Sequence, residues 1–113
     1  MWRFGSVDFD GPFGWIECRP RAKLREVIQK LGKFESMTWQ QIEGARCHFI
    51  GIESLSKQAQ DRLRELGQDD VDELFSLRLS GAERVFGIRD RWIFRILWWD
   101  PDHRVCPSVL SNT

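Results

Sequence analysis

The sequence contains no tyrosine, so chemistry that relies on a phenolic hydroxyl is excluded. Cysteine is scarce: Cys18, Cys47 and Cys106 are an odd number, and no two form a Cys-x-x-Cys pair. That argues against a disulfide framework and for free thiols in a reducing, cytoplasmic setting. An excess of charge of either sign is also missing, because 17 Lys and Arg balance 17 Asp and Glu. A nucleic-acid role therefore has to rest on local clustering of cations. No apolar run approaches the ~18 residues that span a bilayer. The longest, Ile96 to Trp99, is bounded upstream by Arg95. The start, Met1-Trp2-Arg3-Phe4-Gly5, has no apolar h-region, so neither secretion nor a membrane location is expected.

What is present is the composition of a folded domain. Hydrophobic residues make up 42% and charged residues 30% of 113 residues, which suits a single domain spanning 1–113. Six Trp and eight Phe supply large apolar anchors. The first 17 residues are rich in Gly and aromatics, with Gly11-Pro12 as a turn and Trp15 to Cys18 as a candidate short strand. Leu24, Val27, Ile28 and Leu31 fall at i, i+3, i+4 and i+7, predicting a helix with Pro20 in its first turn and Gly32 at its end. From Arg19 to Lys33 there are six Lys or Arg against one acid, Glu26. This basic outer face suits either plain solvation or an anionic partner.

Thr38-x-x-Gln41 resembles a capping box for a short helix ending at Gly44. His48 to Ile52 reads as a strand. Ser56 reads as the N-cap of a second main helix, with Leu55, Ala59, Leu63 and Leu66 buried and Gly67 as its stop. Beyond the acidic loop 69–73 the apolar period drops from 3.6 to 2. Strands are predicted at 74–80, 84–89 and 93–99, joined by turns at Ser80-Gly81-Ala82-Glu83 and Asp90-Arg91-Trp92. Arg104 to Cys106 is a candidate return strand. The expected class is α+β: a small antiparallel meander packed on two main helices.

A four-residue first turn and a three-residue second turn set Leu77 against Phe86, Phe75 against Ile88 and Phe86 against Ile96. One face is then apolar. The other carries Arg78, Arg89 and Arg95, one per strand, around a hollow at Gly87. A two-residue second turn would put Arg95 on the apolar face, where an unpaired guanidinium is costly. Arginines around a hollow suit phosphate oxygens, and Trp99 beside them suits an unpaired base. The plainer alternative is a solvated face balanced by the acidic loop.

The stretch Leu77-Arg78-Leu79-Ser80-Gly81, through Arg84-Val85-Phe86-Gly87-Ile88-Arg89, to Phe94-Arg95-Ile96-Leu97 resembles the RelE/ParE toxin superfamily. The likeness covers about half the chain, mainly 52–107, within a helix-and-sheet part at 46–107. It leaves 1–45 as an N-terminal extension and 108–113 as a tail. The resemblance implies a toxin neutralised by an antitoxin protein. RelE-like members cleave mRNA on the ribosome, and ParE-like members bind gyrase without cutting RNA. For the endoribonuclease reading, the matching catalytic residues are His103, Arg89 and Arg95, with His103 as general acid or base. Phosphate or RNA contacts fall to Arg78, Arg84, Arg91 and Trp99, and on the basic helix to Arg21, Lys23 and Arg25. No cofactor or metal is implied. His48, which opens a predicted strand, reads as structural. A zinc site from Cys47, His48, His103 and Cys106 is conceivable, but its spacing is not that of a zinc finger. The abundance of Trp and Phe also predicts a protein partner.

Overall fold

The computed structural model describes residues 2–107. The tail expected over 108–113 lies outside them. The fold is α+β, with a five-stranded sheet in the order β1-β5-β4-β3-β2. The strands are β1 (Trp2–Arg3), β2 (His48–Gly51), β3 (Glu73–Ser80), β4 (Glu83–Asp90) and β5 (Ile93–Asp100). The helices are α1 (Arg21–Glu35), α2 (Trp39–Gly44) and α3 (Lys57–Glu65). β2 to β5 pair antiparallel, but β1 adds to β5 in parallel, so the sheet is mixed rather than purely antiparallel.

Local signals set the helix starts. Thr38 Oγ1 accepts the Gln41 amide and Gln41 Oε1 accepts the Thr38 amide, a complete capping box. Ser56 caps α3 by accepting the Ala59 amide, and Gly67 ends that turn at a φ of 73°. Gly32 does not end α1. The helix runs on to Glu35 because Phe34 buries against the sheet, offsetting a mid-helix glycine that costs about 1 kcal/mol. The buried row is Val27, Leu31 and Phe34, while Leu24 and Ile28 stay exposed. Trp15–Glu17 forms a 3₁₀ turn instead of a strand. Residues 104–106 form no strand. The Asp100 carboxylate holds them by accepting amides from Asp102, Arg104 and Val105.

The sheet is covered on both faces, which overturns the expected open arginine face. α1 and α2 pack with Phe75, Leu77, Val85, Phe94, Ile96 and Trp99. α3 and Phe13 pack with Leu74, Phe86, Ile88, Leu97 and Trp98 on the other side. Both hairpin turns have two residues, so Leu77 pairs with Val85 and Phe75 with Gly87, one step off the expected register. Gly81, at a φ of 49°, supplies the conformation such a tight turn requires. A bulge at Leu97 lets Phe86 pair with Trp98 while Gly87 pairs with Ile96. Ile96 and Trp99 thus serve one core and Leu97 and Trp98 the other, so the longest apolar run is buried throughout. The expected hollow at Gly87 is filled by the Phe94 ring.

One buried carboxylate joins the N-terminal loop, α3 and β5. Asp8 accepts Arg62 Nε at 3.0 Å, Arg62 Nη2 at 2.8 Å, Trp98 Nε1 at 2.8 Å and the Gly11 amide at 3.2 Å. Burial pushes the Asp8 carboxyl up, but the bonds from Arg62 and Trp98 outweigh it and hold the group below its ordinary range. Its contribution is therefore complete above the unfolded carboxyl pKa of about 3.9 and is lost as pH falls through the lower folded value. Asp8→Asn strands a guanidinium that Glu65 partly compensates. Urea denaturation should show a loss of about 3 kcal/mol at pH 7, and the variant should lose less stability than the parent on acidification.

Candidate functional site

The β3–β4 turn meets α1, from Lys23 to Lys30, at one end of the sheet. Lys23 Nζ donates to Glu83 Oε2 at 2.6 Å, Ser80 Oγ donates to Glu83 Oε1 at 3.0 Å, and Lys30 Nζ donates to Ser80 Oγ at 3.1 Å. Burial raises the Glu83 carboxyl, but bonds from Lys23 and Ser80 bring it below its usual value, so the clasp is ionic at neutral pH. Between this clasp and the α1–α2 connection lies a groove of about 580 Å³. Lys30, Lys33 and Arg78 line it with Phe34, Met37, Ala45 and Ser80.

The cations of the groove, and Arg46 and Arg84 next to its lining residues, are unevenly matched. Lys30 is shared between Glu26 and Glu83. Among the described residues, Lys33, Arg46, Arg78 and Arg84 have no carboxylate within 4.0 Å. Arg78 and Arg84 are direct cross-strand partners, a like-charged pairing that destabilises a ladder. Arg84 Nη1 reaches only the carbonyls of Gly81 and Glu83. Burial, then the charge of Arg78, lowers the Arg84 pKa. The oxygens of nearby Asp100 accept backbone amides. An anion at this end would relieve the repulsion, and phosphate oxygens match guanidinium forks.

The residues singled out from sequence do not form one centre. Arg78 and Arg84 stand together, and β5 ends beside them, with Asp100 opposite Arg84. His103, three residues on, is partly buried at a φ of 59° and makes no hydrogen bond or ion pair among the described residues. Arg89 lies at the other end of the sheet. From its partner Phe94 to Asp100 is six residues of strand, about 20 Å. Its Nη1 donates to Glu43 Oε2 at 2.6 Å, and its guanidinium carbon sits 4.0 Å above the Trp39 ring. Arg95, opposite Ile88, projects from the α3 face, whereas Arg89, opposite Phe94, belongs to the α1 face. Arg91 is exposed in the far turn. Trp99 is buried and stacked on Trp15, so it offers no ring to a base. Lys23 is engaged with Glu83, while Arg21 and Arg25 are exposed one turn apart.

Lys30, Lys33 and Arg46 were not among the expected contacts. The count of cations up to Lys33 hinted at the first two. Nothing in the sequence marks Arg46, which adopts a φ of 67° beside Ala45 at the groove. Cys47 is buried, accepts the Arg78 amide at 3.3 Å and has a raised pKa from burial, so its thiol is structural. His48 is exposed on the edge strand. Among the described residues no three His, Cys, Asp or Glu gather as metal ligands. Among the described residues no helix is long and apolar enough to cross a membrane.

Comparisons with family models, curated proteins and solved structures find no match to this chain. With Arg89 clamped by Glu43 and three aromatic rings, Arg89→Ala should cost about 2 kcal/mol in thermal or urea melts. RNA affinity should not change, since the residue lies at the far end of the sheet from the groove.

Proposed function

We propose that the protein binds RNA through the basic groove and acts as a toxin of the RelE/ParE kind. The observation that carries the reading is the cross-strand pairing of Arg78 with Arg84, two like charges set opposite each other at the end of the sheet that borders the groove. Asp100, opposite Arg84 on β5, attracts it less than burial and Arg78 oppose its charge. Together with Lys33 and Arg46 the two arginines concentrate positive charge at one end of a chain whose net charge is zero. A flexible phosphate backbone fits an open groove of this size better than a compact anion does.

Within this reading His103 is the general acid or base, because it follows the β5 end that stands opposite Arg84. Arg78 and Arg84 take over the phosphate-stabilising role first expected of Arg89 and Arg95. A non-cleaving binder of the ParE kind is the second reading. It is favoured by the separation of Arg89 and Arg95 onto opposite faces of the sheet. The cognate antitoxin and the ribosome remain the partners this proposal entails.

Arg78→Gln tests the groove directly, and Arg84→Gln tests the charge opposite it on β4. Each should weaken binding of single-stranded RNA and reduce the slope of log affinity against log salt by about 0.7. Arg78→Gln should also raise stability by about 0.5 kcal/mol as the like-charge repulsion disappears. Unchanged affinity in both variants would refute the groove as the RNA site. Induced expression with primer extension separates the two toxin readings. Cuts in translated messages that vanish in His103→Ala mark a ribonuclease, and growth arrest without cuts marks a binder.

A further inference from the structure

We infer that a second groove, apolar and on the far flank of α1, receives an amphipathic helix of a partner protein that carries acidic residues along its rim. Phe4, Phe9 and Ile28 are 66%, 60% and 56% exposed, although they belong to a domain with a well-filled core. They line two adjoining hollows, of about 230 and 170 Å³, which share Phe4, Ile28, Leu31 and Ile96. Neither hollow shares a lining residue with the basic groove.

The shape points to a helix. Along α1 the groove runs from Leu24 to Leu31, about 10 Å, or two helical turns. That length accepts an apolar stripe at i, i+3, i+4 and i+7. A second copy of this chain is a poor occupant. A two-fold contact would set hollow against hollow, leaving both unfilled. The apolar residues of α2 and α3 are already buried in the core, so neither helix has a stripe to offer.

The rim selects the partner's charge. Arg21 and Arg25 border the Leu24–Ile28 row one turn apart. Among the described residues neither has a carboxylate within 4.0 Å. The acids nearby are Asp10, beside Phe9, and Glu35 at the C-terminal end of the groove. The helix therefore presents acids towards Arg21 and Arg25, which fixes its direction as well as its sign.

The test uses the full chain and a synthetic helical peptide without Trp, bearing a leucine stripe flanked by Glu. Trp2 and Trp15 line the hollows, so intrinsic fluorescence reports occupancy. A saturable change is expected, roughly tenfold weaker for the same peptide with Lys in place of Glu. Ile28→Asp should abolish binding without lowering the melting temperature, because the side chain is mostly exposed. Arg21→Glu with Arg25→Glu should invert the peptide preference. If Ile28→Asp fails to fold, Leu24→Ser replaces it, with a loss of binding again expected. No saturable change, equal affinity for the two peptides, or a wild-type dimer that Ile28→Asp dissociates would each overturn the proposal.

Discussion

The Asp8 carboxylate is the interaction on which the rest of the arrangement depends. Four donors from three separate stretches of chain converge on it: the Gly11 amide, the Arg62 guanidinium and the Trp98 indole. Each stretch covers part of the sheet that would otherwise be open. The N-terminal loop lies along the outer side of β5, where the Asp8 amide meets Leu97 O and the Trp99 amide meets Phe13 O. α3 closes the face that holds Trp98. Taking a charged pair out of water is costly, and only full satisfaction of its lone pairs makes it favourable. The carboxylate meets that condition, and the loop, helix and strand are held in one register as a result.

With both faces of the sheet covered, the sites open to partners are pushed to its end and its flank. The β3–β4 turn is exposed at its tip and is fixed by an ionic clasp from α1. Side chains near it can carry unmatched charge because water and passing ions screen them.

Much of the element pattern was legible because it rests on local chemistry. Thr38, Gln41, Ser56 and Gly67 mark helix ends by groups they present to nearby backbone, and the period-2 stretch from Leu74 onward located the hairpin strands. The faces were not legible. Strand alternation identifies a buried face only when the other meets solvent, and here Phe86 and Val85 are both buried. A guanidinium beside Phe86 is costly only where that face is wholly dry. Arg95 in fact occupies the exposed end of that face, near the β4–β5 turn. Turn length decided the register. Gly81 allowed the tighter turn, yet a four-residue turn reads equally well from Ser80 to Glu83. Of the site, the Arg78 and Arg84 positions were readable, whereas Arg46 depends on a backbone conformation that no spacing announces.

The most direct measurement of the central claim is a titration of isotopically labelled protein with a short single-stranded RNA, followed by amide chemical shifts. The account predicts that the perturbed amides cluster at Lys33, at 45–46 and from Arg78 to Arg84, with the region around Leu24 and Ile28 unaffected. Shifts centred on Arg89 and Arg91, or spread evenly over the surface with no saturation, would contradict it.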